Sequence, residues 1–503
     1  MPQQHIIIDN HANNSTFGYS LIRLCGQASM QQGVKRNVLT ITQKPSNKTT
    51  TWEVRANHFK ALILLEVGLN TLQLSIPNHS PVEFQFTYQP DLINVLNPKS
   101  PYPRVRPVYF QCSDHDGSFL VENQKEPHDL KAAVKKMEVA SLLMQSFCAE
   151  TVGDNKTFAL EMDPARPNMP LVQVFHSQRW TRDEFKRVGN EWADGGQAGY
   201  AAVVNEMTES PFHNDQVIYF CILGGTFYYA KKRTLGMHTA LGGGNMGMFS
   251  DVTFHSWATT IDDIVPCWSD IRKINSDLVF DDSAYRGTRW ANYATGLGAC
   301  MHELGHCFGC PHTPGGIMSR GFDNMNRFFM LSEPGDTSIL TRVEEKGASW
   351  DDSSIDIIVG HEHFLATSQC IVGSEKKSRG GTILYHVAPK NEVVEEQSLE
   401  KVHYYMFADS TLENVVGDEW IERHGKNVFC KFKELSRSKD EIMLSDKGRG
   451  MLVLLTPTHA SWKLISNRNG DWNMLGAGKA LFPNIPEHRR ILDEHACRII
   501  EKN

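Results

Sequence analysis

His302-Glu303-Leu304-Gly305-His306-Cys307-Phe308-Gly309-Cys310-Pro311-His312 places three imidazoles and a carboxylate in register within one short stretch. At about 100° per residue, His302 and His306 stand one helical turn apart on the same face, so both rings can reach a single ion. Glu303 lies on the flank of that face, where a carboxylate can take a proton from an attacking water and later deliver it to a leaving amine. Gly309 can adopt the positive φ that stops a helix, and Pro311 keeps the chain extended, so His312 can return as a third nitrogen ligand. Three protein ligands leave one coordination position open, the mark of a catalytic rather than a structural zinc.

The residues upstream support the helix independently. Trp290, Tyr293, Leu297, Cys300, Met301, Leu304 and Phe308 fall in one sector of a helical wheel, roughly opposite the two histidines. Thr295, Gly298 and Ala299 lie on the histidine side, so the spacing predicts a wall of small residues with room for a substrate. In a chain with 21 histidines a bare His-Glu-x-x-His is a weak signal. Gly309 and His312 at fixed offsets make it a strong one, because a helix with two surface histidines explains neither Glu303 nor His312.

This pattern resembles the metzincin clan of zinc peptidases, whose signature HExxHxxGxxH is followed by a methionine-containing turn. Gly315-Gly316-Ile317-Met318-Ser319 supplies such a turn. The resemblance implies one catalytic Zn2+ held by His302, His306 and His312, with Glu303 as general base and Met318 as the hydrophobic floor under the metal. Some members place a tyrosine two residues after that methionine; here the position is Arg320, so a tyrosine helper is not supported. The block Gln216 to Asn326, with Phe249-Ser250-Asp251, Trp257 and His312 to Asp323, is similar to a little-characterised eukaryotic family of zinc metallopeptidases, some of whose members carry a lectin-like domain.

Composition narrows the remaining classes. Apolar content of 41% and charged content of 22% are those of an ordinary globular protein, and a net charge of −7 gives no sign of a nucleic-acid or anionic-membrane partner. The longest apolar runs, Ala61 to Leu65 and Met451 to Leu455, are too short to span a bilayer. Eleven scattered cysteines and an N-terminus without a basic, then apolar, signal pattern point to the cytoplasm.

The expected fold class is α+β. It comprises a metzincin-like peptidase domain over residues 104–372, with a mixed twisted sheet and an active-site helix, flanked by β-sandwich-like accessory domains at 1–103 and 373–503. Expected strands cover Trp52 to Arg55, His58 to Val67, Leu72 to Ile76 and Val82 to Tyr88, with a hairpin at Gly68-Leu69-Asn70 and a proline-marked linker from Pro90 to Pro103. In the central part, Arg106 to Ser113, Thr157 to Met162 and Asp215 to Leu223 read as strands, and Pro127 to Thr151 as a long helix. Leu241 to Phe249, rich in glycine, reads as an edge strand along the cleft that a peptide could extend; without a following Lys-Ser/Thr it does not read as a phosphate cradle. Ser353 to Gly360 reads as a short capped helix. His361 with His363, and Cys307 with Cys310, have spacings compatible with a metal, but neither pair has partners in sequence and ordinary buried residues are the simpler reading. Cys25 and Cys112 read as buried thiols rather than as an inhibitory switch. Thr382 to Val387, His403 to Ala408, Val428 to Phe432 and Met451 to Thr456 read as strands of the last domain, and Pro486 to Ile500 as a terminal helix.

The function expected is zinc-dependent hydrolysis of peptide bonds in a peptide or protein substrate. The competing readings are a catalytically silent zinc-binding scaffold that positions the flanking β modules, and a zinc hydrolase acting on a non-peptide amide.

Overall fold

The computed structural model describes residues 5–29, 37–90, 103–153, 156–188, 196–341 and 347–364, and the strand segments between 404 and 481. The chain divides into two compact units, residues 1–374 and 375–503. The expected strand at Thr382 to Val387 and helix at Pro486 to Ile500 lie outside the described residues, as does most of the proline-rich linker.

The first unit begins with two sheets that share one apolar core. Ile6–Ile8, Leu21–Ala28 and His58–Leu64 form a three-stranded antiparallel sheet. A five-stranded sheet follows the order Ser15–Phe17, Val82–Tyr88, Gly68–Ser75, Asn37–Lys44, Lys48–Val54. Alternation decides which residues point inward: Leu39 and Ile41 on one strand and Leu72 and Leu74 on its neighbour are buried against Ile22, Ile63 and Phe86. The hairpin expected at Gly68-Leu69-Asn70 is instead a crossing between the two sheets. Gly68 takes φ +88°, and Asn70 is fully buried, its side chain bonding to the backbone of Glu66 and Gly68 and to Gln43. An asparagine that satisfies the turn's own backbone serves here as a corner rather than a reversal.

The central sheet has the order β2 (Gln173–His176), β1 (Arg104–Gln111), β3 (Val217–Leu223), β5 (Met246–Ser250), β4 (Leu241–Gly243); the first four are parallel and β4 is antiparallel. Val217–Leu223 is uninterruptedly apolar because both faces are covered. Ile218, Phe220 and Ile222 join one core cluster, and Val217, Tyr219, Cys221 and Leu223 join another. On the first face lies α1 (Leu130–Thr151), capped by Asp129, whose carboxylate accepts from the Ala132 N–H at 2.9 Å. On the second lies α2 (Gln197–Glu209), through Val203 and Met207. Thr157 to Met162, expected as a strand, makes only one bridge to the sheet, Leu160 to Val105, before Met162–Asp163 turns into a hairpin with Arg166–Pro170. The pairing there is confined to two hydrogen bonds, Val105 N–H to the Ala159 carbonyl at 2.8 Å and Glu161 N–H to the Val105 carbonyl at 2.9 Å.

Buried charge ties the N-terminal sheets to the rest of this unit. Arg23, 1% exposed, donates from Nε to Glu150 Oε2 at 3.0 Å, lies 3.5 Å over the Phe328 ring and also donates to the Phe328 carbonyl. Lys60 Nζ donates to the carbonyls of Arg327 and Phe328 at 2.8 and 3.1 Å. Two cations from the first sheet thus cap the C-terminal end of α4 (Met325–Phe329), where the helix carbonyls and dipole favour positive charge. Burial pushes the Glu150 carboxyl up, but Arg23 and His11 outweigh it and hold it below the usual carboxylate range. Arg23→Ala should lower the stability of this unit by about 3–5 kcal/mol, because it strands a buried carboxylate. Denaturant unfolding checks this; a shift under 1 kcal/mol would mean the pair behaves like a surface ion pair.

The second unit is a closed antiparallel barrel of eight strands, Tyr404–Phe407, Ser410–Val416, Glu419–His424, Asn427–Arg437, Ile442–Asp446, Met451–Leu455, His459–Leu464 and Asn473–Leu481. This corrects the expected sandwich. Each strand pairs with the next, and the last returns to the first through Tyr404 opposite Leu481, so the sheet closes on itself instead of packing on a second one. Tyr405, Leu412, Trp420, Ile442, Leu444 and Leu455 are fully buried. No helix among the described residues is long and apolar enough to cross a membrane.

Candidate active site

The motif lies at the C-terminal end of α3 (Arg289–Cys307). All seven residues of the apolar sector, Trp290 to Phe308, are buried. The helix stops where Gly309 takes φ +83°, with the N–H groups of Gly309 and Cys310 returning to His306 and Gly305 carbonyls at 3.0 Å. Beyond it, the Thr313 N–H bonds to the Met318 carbonyl at 3.1 Å and the Ile317 N–H to Ser349 at 2.8 Å, which fixes the return of His312.

The structure brings His302, His306 and His312 together. Each pair of Nε2 atoms is 3.2 Å apart, a nearly equilateral triangle. Two nitrogens bound to a tetrahedral zinc at about 2.0–2.1 Å lie about 3.3 Å apart, so the triangle matches a zinc-sized ion. The other ring nitrogens are already engaged: His302 Nδ1 donates to the Ile317 carbonyl at 2.8 Å and His306 Nδ1 to the Cys310 carbonyl at 2.9 Å. That tautomer turns the Nε2 lone pairs toward one point. Burial, then the neighbouring rings, holds His306 down at about 4, and burial lowers His302 as well. Both rings are therefore neutral at pH 7, as a cation requires. Exposure rises from the buried His302 through His306 to the exposed His312, which leaves one side of the triangle open.

Glu303 is 7% exposed, and burial pushes its carboxyl up to about 8. The Met318 Sδ lies only 2.5 Å from where a Cβ on Gly305 would sit, with the Trp350 ring 3.1 Å away from the same point. Only glycine lets the sulfur press onto the helix backbone there.

Several features were beyond sequence reasoning. Gly242 and Gly247, paired across β4 and β5, lie against the backbone of Glu303; a Cβ on Gly242 would fall 1.9 Å from the Glu303 carbonyl oxygen. The glycines therefore let the edge strand approach α3. Tyr200 of α2 braces the same hairpin, its hydroxyl lying 3.1 and 2.9 Å from the Gly243 and Met246 carbonyls. Gly242→Ala should cost about 1–3 kcal/mol or more, because strand or helix must move. Gly243→Ala, with nothing near its added methyl, is the control and should stay within about 0.5 kcal/mol. Comparing the unfolding midpoints of the two variants measures this; equal midpoints would remove the close-approach argument.

The wall of small residues is not open. A Cβ on Gly298 would lie 1.9 Å from the Phe322 carbonyl oxygen, and Thr295 Oγ1 accepts from Arg286 at 2.9 Å, so the segment after Met318 fills that side. Cys307 and Cys310 are free, buried thiols directed to different carbonyls, Glu303 and Ser354, and burial pushes Cys310 up to about 12. Cys25 and Cys112 are also buried. The His361 and His363 rings lie tilted at 38° to one another with centres 5.2 Å apart. Among the described residues the one group of three candidate ligands is His302, His306 and His312.

A mixed sheet, a helix carrying His302, Glu303 and His306, and a returning third histidine define a chain built around a metal-binding site. Residues 5–397 match the model of the Metallopep family, described as "Putative peptidase family". The chain belongs to that peptidase family. It is 27% identical over 347 residues to a protein named "Putative zinc metalloproteinase" in Schizosaccharomyces pombe, covering 65% of this chain and 54% of the relative. A protein of the same description in Saccharomyces cerevisiae is 26% identical over 352 residues, covering 64% and 48%. The chain thus spans about half the length of the curated relatives it matches. A family 39 glycoside hydrolase from Bacteroides cellulosilyticus aligns over 43% of each chain at 12% identity with a TM-score of 0.14, too slight to bear on the fold.

Proposed function

We propose that this chain is a zinc-dependent peptidase of metzincin type, with His302, His306 and His312 holding one zinc ion and Glu303 serving as general base. The observation that carries the reading is the 3.2 Å triangle of Nε2 atoms, with the opposite nitrogens of His302 and His306 held by backbone carbonyls. Zinc, when bound there, would polarise the scissile carbonyl and make water a nucleophile at neutral pH. Glu303 takes the proton of the attacking water and returns it to the leaving amine. Burial alone favours its neutral form; the positive charge of zinc, when bound, would favour the ionised carboxylate that accepts the proton. Met318 forms the apolar floor behind the histidines. The outer edge of β4 holds the substrate backbone as an added strand, through hydrogen bonds that do not read side chains. On this reading the peptidase domain spans residues 104–372, with accessory β domains at 1–103 and 373–503, and the substrate is a peptide or protein. The free thiols fit the reducing cytoplasm.

The test is metal analysis of the purified chain beside an unbiased peptide-cleavage assay. Stoichiometric zinc, cleavage abolished by a chelator and cleavage restored by zinc are expected. A zinc-loaded protein that leaves a broad peptide library uncut would overturn the peptidase reading in favour of a binding scaffold or another amide hydrolase.

A further inference from the structure

The rim of the site beside His302 carries a charge that the mechanism does not use. Arg320 opens the short turn Arg320–Asn324 two residues after Met318, and its side chain is 66% exposed. The guanidinium lies 4.6 Å over the Phe322 ring, and that ring meets the His302 ring edge-on at 5.2 Å between centres. One aromatic ring therefore separates Arg320 from the histidine triangle, and the guanidinium lies within about 10 Å of His302, the length of about three residues of extended chain. A single Nη donates to Asp323 Oδ1 at 2.9 Å and lies 2.9 Å from Oδ2. Among the described residues that is the guanidinium's only bonded partner, so Nε and the second Nη face solvent with their donors available.

The surroundings hold this geometry. Asp323 is 13% exposed, and its backbone carbonyl accepts from Arg286 at 2.8 Å. Arg286 also donates to the Thr295 hydroxyl and the Ser283 carbonyl and lies 4.9 Å over the Trp290 ring, so its own charge is spent within the fold. Asp282, its carboxyl lifted to about 6 by burial, is the other acid facing Arg320. The Asp323 contact leaves the other donors of a planar fork unbonded within about 10 Å of His302. A planar fork with two vacant donors fits a carboxylate.

We propose that Arg320 is a specificity-determining residue that binds a substrate carboxylate, from an acidic side chain or from a peptide C-terminus, within about three residues of the scissile bond. This rests on the peptidase reading and names the substrate class that the site prefers: peptides bearing a negative charge close to the cleaved bond.

The experiment uses the full chain with Glu303→Gln, zinc-loaded so that bound peptide stays uncut, titrated with fluorescent octapeptides. One arm compares Glu with Gln at each internal position; the other compares a free C-terminal acid with its amide. In one arm the acid should bind about tenfold more tightly than its neutral counterpart, the size of a solvent-accessible charge-assisted hydrogen bond. Arg320→Leu should collapse that ratio to about one, and Arg320→Lys should keep part of it, since an ammonium retains the charge but not the fork. At this exposed position the fold should not depend on Arg320, and the unfolding midpoint of each variant checks it. Equal binding of acid and neutral peptides in both arms, no binding of either, or a preference that survives Arg320→Leu would overturn the proposal. Cleavage of the same peptides by the unmodified chain is scored separately. If the ratio depends on Arg320 and nothing is cut, the peptidase reading fails while the carboxylate site stands; if peptides are cut with no regard to charge, the reverse holds.

Discussion

Glu303→Gln should lower kcat for peptide hydrolysis by about 10²–10⁴-fold, the range that a positioned general acid or base contributes, with zinc content unchanged. The amide nearly matches the carboxylate in shape, so the packing around this 7% exposed side chain survives. What disappears is the capacity to accept a proton. On the proposed reading the three histidines hold the metal, so the variant should load zinc to the same stoichiometry as the unmodified chain. The informative comparison is kcat against zinc content in one preparation: full activity in a zinc-loaded variant would exclude Glu303 as the base, and lost zinc would recast it as a residue that supports the metal.

His306→Ala should act in the opposite order. Its Nε2 stands 3.2 Å from both other ligand nitrogens, and its Nδ1 is fixed on the Cys310 carbonyl. Losing a residue that merely orients a metal ligand typically costs 10–100-fold in affinity, so loss of a ligand should weaken zinc binding by more than about 100-fold. Peptide cleavage should fall with it to background. The helix itself should persist, since its stop depends on Gly309 and its buried face on residues from Trp290 to Phe308. Metal analysis, with circular dichroism to confirm the fold, separates these effects. A variant that keeps stoichiometric zinc and activity would mean that His302 and His312 hold the ion with some other partner.

The candidate site was legible in the sequence because its parts are local. His302, Glu303 and His306 occupy one helical turn and its flank, and their spacing alone fixes their directions. Gly309 announced the stop that its φ of +83° provides. The long helix after Asp129, the apolar strand Val217–Leu223 and the short helix Asp352–Gly360 were readable for the same reason. What escaped depends on contacts between residues far apart. Nothing local to Gly298 says that the Phe322 carbonyl fills the space beside it, and nothing in Leu241 to Gly247 says that the glycines serve helix packing as well as the edge strand. Asn70 carries an ordinary turn signal, yet whether a turn reverses a strand or passes it to a second sheet depends on which partners the neighbouring strands have found. Closure of the barrel rests likewise on a pairing between Tyr404 and Leu481, at opposite ends of that unit.

Three glycines at the contacts of α3, Gly242, Gly298 and Gly305, would each drive an added methyl into a carbonyl oxygen or into the Met318 sulfur. The helix that carries His302 and His306 is therefore in close contact at three points, and tilting it would require the β4 strand, the Phe322 backbone or Met318 to give way. Divergence among relatives that keep this arrangement has to work elsewhere, through side chains on the rim and the loops that carry them. The chemistry would then be the inherited part of the molecule, and diet the part free to change.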